Sequence, residues 1–177
     1  MFKKYWKFFV IFWSVVLVGI IGVFVFFWLI SAGKLGFMPT FEELENPNNR
    51  FASEVYFADG PIMNRYFEKE NRKYIEYREI PQSVIDALIA TEDVRFYDHS
   101  GVDVRGLFRV AKGLLTANTS AGGGSTISQQ LAKMLFPRES DLNVFELAIR
   151  KFREWVIAVR LEKSYTKEEI LTMYFNT

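Results

Sequence analysis

The sequence predicts a mainly α-helical domain that follows an N-terminal transmembrane helix and a small β-hairpin segment. Residues 8–30 are a run of 23 residues without a charge. Residues 51–66 alternate apolar and polar side chains around an Asp-Gly-Pro turn, which is typical of a hairpin. From Pro81 onward the apolar residues recur every three or four positions, which is helical spacing. Together these patterns indicate one helical domain tethered to a membrane.

The composition narrows the class of protein. At 177 residues the chain has room for one domain and an accessory segment. The formal net charge is +1, which gives no electrostatic case for a nucleic-acid partner. The sequence contains no cysteine, so it can form neither a disulfide framework nor a thiolate metal site.

The charge-free run predicts a membrane anchor. A helix needs about 20 apolar residues to span the hydrocarbon core, and residues 8–30 supply them. Lys3, Lys4 and Lys7 precede the run, while only Lys34 follows it closely. The positive-inside rule then predicts a single-pass protein of the inner (cytoplasmic) membrane, with its N-terminus cytoplasmic and the remaining chain periplasmic. A cleaved signal peptide is the alternative, but its apolar region would be shorter, about 7–15 residues.

The chain divides into five segments. Charge and turn residues predict a cytoplasmic tail, a transmembrane helix, a linker, a hairpin or pedestal segment and a helical domain, at residues 1–7, 8–30, 31–50, 51–80 and 81–177. Residues 73–80 are predicted as another short extended piece. In the helical domain, one helix ends near Glu92 and four more follow. The last of them opens with a capping box formed by Thr166 and Glu169.

The first helix of this domain places a carboxylate where a core residue is due. Its apolar face consists of four residues at helical spacing, Val84, Ile85, Leu88 and Ile89. Glu92 continues that face, so the sequence predicts a buried carboxylate. Burial disfavours the charged form of a carboxyl group, which suits a general base near neutral pH. The alternative is a helix-end Glu92 that pairs with Arg95 at i+3.

The second helix, which Asp103 can cap, has a basic face. Arg105, Arg109 and Lys112 are spaced four and three residues apart. A basic amphipathic helix in a membrane-anchored chain can lie against lipid headgroups. The alternative is a solvated charged face on a helix that is packed through its apolar side.

A glycine run leads into the third helix. Residues 122–124 are glycines, and Thr126 with Gln129 has the spacing of a capping box. Backbone N–H groups at such a helix start can bind an anion, and Lys133 lies one turn from Gln129 and Gln130. The pattern predicts a phosphate site, with a plain flexible loop as the alternative. It is not the phosphate loop of nucleotide hydrolases, because no Gly-Lys-Ser/Thr follows.

The longest predicted helix, residues 144–162, is apolar on most sides and is therefore expected to be central. Arg150, Lys151 and Glu154 are set into it. A buried ionised glutamate needs a partner, which is either a neighbouring cation or a bound ligand. A purely structural salt bridge is the alternative.

Taken together, these stretches resemble the peptidoglycan glycosyltransferases of glycosyltransferase family 51, found in the N-terminal part of class A penicillin-binding proteins. Four ordered motifs carry the resemblance. The first motif is Glu-Asp-x-x-Phe-x-x-His-x-Gly, which is matched by Glu92, Asp93, Phe96, His99 and Gly101. The second is Gly-x-Ser-Thr-Ile-x-Gln-Gln, which is matched by residues 123–130. The third is Arg-Lys-x-x-Glu, which is matched by Arg150, Lys151 and Glu154. The fourth is Lys-x-x-Ile-Leu-x-x-Tyr-x-Asn, which is matched by Lys167, Ile170, Leu171, Tyr174 and Asn176. The sequence ends before the fifth motif of the family, so the catalytic domain is expected to be truncated.

The resemblance implies a lysozyme-like glycosyltransferase domain that polymerises lipid II by inverting β-1,4 glycosyl transfer and releases undecaprenyl pyrophosphate. Glu92 matches the general base. Glu154 matches a second essential carboxylate, which acts through a divalent cation (Mg²⁺ or Mn²⁺) or by orienting basic side chains. No organic cofactor is implied. The substrate-binding residues that the resemblance implies are Asp93, Arg95, Phe96, His99, Ser125, Thr126, Gln129, Gln130, Lys133, Arg150 and Lys151.

The implied partners are lipid II, the growing glycan strand, the lipid bilayer and other cell-wall synthesis proteins. Two other classes of protein stay open. A lysozyme-like lytic enzyme would also use carboxylates on a mostly helical fold, but it needs no basic groups aimed at a pyrophosphate. A non-catalytic membrane scaffold would need no carboxylate within an apolar stripe.

Overall fold

A computed structural model describes residues 2–36, 38–40, 53–66, 73–116, 123–136 and 143–177. The described part is mainly helical, with one two-stranded sheet. The chain forms two compact units, residues 1–38 with 142–156 and residues 39–141 with 157–177. Part of the predicted linker at residues 31–50 lies outside the described residues.

The first unit contains the predicted membrane anchor. Helix α1 is Phe2–Ser31, and its segment Tyr5–Ser31 is long and apolar enough to cross a membrane. The predicted span of residues 8–30 lies within it. At its C-terminal end, the rings of Phe26 and Phe27 lie 5.3 and 5.7 Å from the ring of Phe152, both edge to face. Offset and edge-to-face arrangements are the favoured ones for aromatic pairs, so this end of the anchor is held by specific packing.

In the second unit the predicted hairpin is confirmed. Strands β1 (Ser53–Tyr56) and β2 (Ile62–Tyr66) pair antiparallel, with a register shift next to Tyr56. Gly60 has φ +105° in the turn, a conformation that glycine adopts without a steric penalty.

The extended piece predicted at residues 73–80 is wrong in its second half. Tyr77–Glu79 forms one turn of 3-10 helix. Its start is capped by the Glu79 carboxylate, which accepts from the Glu76 N–H at 2.8 Å. Such a local hydrogen bond from backbone to side chain competes with strand pairing. The spacing of apolar residues, on which the prediction was based, gives no information about it. The first half is tied instead to the end of the chain, because Asn176 exchanges hydrogen bonds of 2.9 and 2.8 Å with the Ile75 backbone.

The helix near Glu92 and the four that follow it are all present. They are α2 (Gln82–Glu92), α3 (Val104–Leu115), α4 (Ile127–Leu135), α5 (Val144–Ser164) and α6 (Lys167–Asn176). Helix α5 contributes its first part to the first unit and its last part to the second. The core of the second unit is formed by fully buried apolar side chains, among them Ile85, Phe96, Ile127, Leu131, Leu161, Ile170 and Leu171.

The caps explain why these helices start where they do. Asp103 accepts from the Gly106 N–H at 2.9 Å at the start of α3. The capping box of Thr166 and Glu169 at α6 is complete. The box predicted at α4 is only half formed: Thr126 accepts from the Gln129 N–H at 3.2 Å, but the Gln129 side chain donates to the Gly101 carbonyl instead.

Candidate active site

An open groove lies in the second unit, between the end of α2, the start of α3 and the glycine loop before α4. Its lining carries both signs of charge. The residues that line it are Glu92, Asp93, Val94, Arg95, Asp103, Gly106, Arg109, Gly123, Gly124, Ser125 and Thr126. The groove therefore brings together the predicted base and the glycine loop that was predicted to bind phosphate.

Glu92 is the last residue of α2 and is exposed, so its predicted burial is wrong. Of the apolar face that it continues, only Ile85 is fully covered, because the helix leaves the core as it approaches the groove. Glu92 is instead held by a polar neighbour, since Gln130 donates from Nε2 to its Oε2 at 2.7 Å. The carboxylate is thus accessible to a ligand and also oriented.

The alternative pairing of Glu92 with Arg95 is also wrong. The Arg95 guanidinium donates through Nε and Nη2 to the Asp103 carboxylate, with the Nε bond at 3.1 Å. The hydrogen bond from Arg95 lowers the pKa of Asp103, and the same bond raises the pKa of Arg95. This pair forms one wall of the groove, and Arg95 is not available as the partner of the base.

Asp93 is buried and joins the first motif to the start of α4. The ring Nε2 of His99 lies 3.0 and 3.1 Å from the two Asp93 carboxylate oxygens. The Ile127 N–H donates to Asp93 Oδ2 at 3.1 Å. A negative charge at a helix N-terminus is favourable, so this contact stabilises the start of α4.

That contact changes the predicted phosphate site. The Ile127 N–H, which a phosphate at the helix start would have used, is taken by Asp93, and the Gln129 N–H is taken by Thr126. The glycine loop, Ser125 and the capping residue Thr126 line the groove, whereas Ile127 and Gln129 do not.

Several residues implied as substrate-binding are buried. Phe96 is fully buried, with the Lys167 ammonium 4.2 Å from its ring centroid. Thr126 and Gln129 are buried and both donate to the Gly101 carbonyl, at 2.7 and 3.2 Å. Of these side chains only Thr126 lines the groove, whereas Phe96, His99 and Gln129 are not part of its lining.

Two basic residues, Arg95 and Arg109, line the groove, and Lys133, predicted to lie there, does not. Arg109 lines the groove and donates to the Gly123 carbonyl at 3.3 Å. The sequence predicted only that Arg109 lies on a basic face, which contacts either lipid headgroups or solvent, and that prediction missed its position in the groove. Lys133 is exposed on α4, three residues after Gln130 and therefore on the same face of the helix.

Tyr174 is a second residue that the sequence assigned no role in the site. Its hydroxyl donates to Gln130 Oε1 at 3.1 Å. Burial raises the pKa of Tyr174, and the negative charge of Glu92 raises it further. The signal that could have found it is a hydroxyl among apolar residues on the face of α6.

In the first unit, Glu154 is buried and paired, as predicted. Lys151 donates to Glu154 Oε2 at 2.9 Å, and Arg150 is half-buried. Among the residues that the structure describes, no group of three or more His, Cys, Asp or Glu side chains is arranged to hold a metal ion. A divalent cation at Glu154 would need ligand oxygens from the substrate, and it stays a prediction of the resemblance.

Comparison with known proteins places these features in a family. A family model described as Transglycosylase matches residues 59–177. Penicillin-binding protein 1A of Escherichia coli (strain K12) is 38% identical over 139 residues, which are 78% of this chain and 16% of that protein. Penicillin-binding protein 1A of Neisseria gonorrhoeae is 35% identical over 139 residues, 78% of this chain and 17% of that protein. The chain therefore spans about one sixth of the length of these curated relatives.

Proposed function

Because this chain belongs to the transglycosylase family, we propose that it is a peptidoglycan glycosyltransferase that polymerises lipid II into glycan strands. The observation that carries the proposal is the exposed, hydrogen-bonded Glu92 carboxylate in a groove that also contains a glycine loop and Arg109. A carboxylate that is reachable and oriented is what general-base catalysis requires.

In the proposed reaction Glu92 takes the proton from the 4-hydroxyl of the acceptor sugar. That oxygen attacks the anomeric carbon of the donor strand, the new C–O bond forms and the bond to the pyrophosphate oxygen breaks. Attack opposite the α-linked leaving group gives a β-1,4 linkage with inversion. Gln130 holds one oxygen of Glu92, so the other is the one that we assign to the proton.

Charge on the departing pyrophosphate needs fixed positive groups. Arg109 in the groove is the candidate that the geometry offers. Lys133, Arg150 and Lys151 are the candidates that the family motifs imply. Glu154 holds Lys151 through its hydrogen bond, which supports a role in orienting that ammonium.

The direct test supplies the chain, in detergent micelles, with fluorescent lipid II and separately with preformed glycan strands. We expect a ladder of glycan products from lipid II together with release of undecaprenyl pyrophosphate, and no shortening of the preformed strands. Shortening of the strands without polymerisation would identify a lytic enzyme. Neither reaction, with lipid II still bound, would identify a scaffold.

Replacing Lys133 with alanine should weaken binding of a phosphoglycolipid by roughly tenfold, because a hydrogen bond to a charged group contributes about 1.5–3 kcal/mol. Thermal stability should not change, since the Lys133 side chain is exposed. Titration of the labelled phosphoglycolipid measures the affinity. Lys163→Ala, another exposed lysine on a helix of this unit, is the control and should leave the affinity unchanged. Equal affinities for the two variants would remove Lys133 from the site.

Helix α3 supports placement of the domain at the bilayer surface. Val104, Phe108 and Leu115 are 57%, 72% and 89% exposed and lie in one stripe of the helix. Arg105 and Lys112 are exposed beside that stripe. An apolar stripe flanked by basic side chains matches the interface between acyl chains and anionic headgroups, which favours the headgroup interpretation over a solvated face.

A fluorescent label can test this placement directly, since the chain has no cysteine of its own. In nanodiscs that contain anionic lipid, an environment-sensitive dye on Leu115→Cys should emit at shorter wavelength and be quenched by spin-labelled lipid. The same dye on Glu168→Cys, at an exposed position on α6, should behave as in water. Indistinguishable spectra at the two positions would exclude a lipid contact at α3.

A further inference from the structure

Two hydrogen bonds connect the hydroxyl of half-buried Tyr174 to the proposed base. Tyr174 on α6 donates to Gln130 Oε1 at 3.1 Å, and Gln130 on α4 donates through Nε2 to Glu92 Oε2 at 2.7 Å. Tyr174 and Gln130 are half-buried, whereas Glu92 is exposed at the end of α2. The two contacts therefore lead from half-buried Tyr174 to the exposed carboxylate that lines the groove.

Only one orientation of the Gln130 amide satisfies both contacts. An ionised carboxylate can only accept hydrogen bonds, so the amide must present its NH₂ group to Glu92. Its carbonyl then faces Tyr174, which has to donate and must therefore be protonated. Burial and the Glu92 charge both raise the pKa of Tyr174, which keeps the phenol in that form. A flipped amide would place its carbonyl oxygen against the carboxylate.

An exposed glutamate at a helix C-terminus otherwise has no fixed position. Glutamate is among the residues that lose the most rotamer freedom when their side chains are held in one position. Its charge is also unfavourable beside the last carbonyls of α2. A fixed donor at Oε2 offsets both effects.

We propose that Tyr174 is a positioning residue that orients the Glu92 carboxylate through the Gln130 amide. The inference rests on the proposed role of Glu92 as general base. Tyr174 itself does not contact the substrate; its hydroxyl fixes the amide, the amide fixes one oxygen of Glu92, and the other oxygen faces the sugar hydroxyl.

Tyr174→Phe removes the hydroxyl and leaves the ring. We expect kcat for polymerisation to fall roughly tenfold, with KM and thermal stability nearly unchanged, because orientation of the base is lost while the binding groups stay. Tyr56→Phe is the matched control, since the Tyr56 hydroxyl also donates to a glutamate, Glu54, but on the hairpin. It should polymerise like the unmodified chain.

A double-mutant cycle separates positioning from a structural role. In a Gln130→Ala background, the further change Tyr174→Phe should alter kcat by less than about twofold, because the connection to Glu92 is already broken. An equal tenfold loss in both backgrounds would show that Tyr174 acts by another route, and the proposal would be overturned. So would a Tyr174→Phe variant with full kcat.

A measurement that needs no activity keeps this inference distinct from the proposed function. The chain contains three glutamines, Gln82, Gln129 and Gln130, so selective ¹⁵N labelling yields few side-chain amide signals. Tyr174→Phe and Glu92→Ala should each shift the Gln130 signal toward that of an unbonded amide, because each removes one of its two partners. The Gln82 signal should stay in place, because Gln82 donates to Asp86 at 2.8 Å. If the Gln130 signal does not move in Tyr174→Phe, the positioning role is refuted, even in a chain that polymerises nothing. If the signal shifts but the unmodified chain is inactive, the result counts against the proposed function alone.

Discussion

Glu92→Gln should abolish nearly all polymerisation while the fold is retained. General bases contribute about 10²–10⁴-fold to a rate, and a glutamine amide cannot take a proton, so we expect a loss of that size in kcat. The side chain is exposed, so no buried partner is left unsatisfied by the exchange. A continuous assay with fluorescent lipid II, at saturating substrate, measures the effect.

The same exchange should affect thermal stability in the opposite direction from activity. Glu92 ends α2, where a negative charge is unfavourable by about 0.3–1 kcal/mol. Glu92→Gln should therefore leave the melting temperature unchanged or raise it slightly. Glu168→Gln, at an exposed position in the first turn of α6, should keep full activity. Polymerisation by Glu92→Gln within a few-fold of the unmodified chain would exclude Glu92 as the base.

Gly101→Ala should destabilise the second unit by roughly 3–5 kcal/mol, a large part of the 5–15 kcal/mol typical of a domain. Gly101 has φ +91°, and a Cβ there would lie 2.8 Å from the backbone of Ala158 and Val159 in α5. These are backbone atoms within a helix, so they cannot move away from the added Cβ as the end of a flexible side chain could. Any shift would also disturb the Gly101 carbonyl, which accepts from both Thr126 and Gln129.

Urea unfolding followed by circular dichroism, with hydrogen exchange of residues 127–135, measures the loss. Gly123→Ala is the matched control, because a Cβ at Gly123 would meet no atom within 4 Å, and it should stay within about 1 kcal/mol of the unmodified chain. A Gly101→Ala variant as stable as Gly123→Ala would show that the loop and α5 can move apart at little cost.

The sequence by itself determined the elements of this protein and its family. The charge-free run became α1, the Asp-Gly-Pro turn became the hairpin, and the helix near Glu92 and the four that follow formed close to their predicted bounds. These features depend on contacts between residues near in sequence, such as the caps at Asp103 and Thr166. Residues of the first two motifs, which contain the predicted base and the glycine loop, line one groove.

Only the tertiary structure decided what covers each helix face and where each polar side chain finds its partner. Apolar spacing assigns Glu92 to a face of α2, but that face runs out of the core before it reaches the groove, so the carboxylate is exposed. Arg95 pairs with Asp103, and Asp93 takes the Ile127 amide that a phosphate was predicted to use. Tyr174 lies 44 residues from Gln130 along the chain, and no local pattern relates two residues that far apart. Helices α4 and α6 pack together, and this packing brings the Tyr174 hydroxyl within 3.1 Å of Gln130 Oε1. Sequence spacing alone cannot predict such a contact.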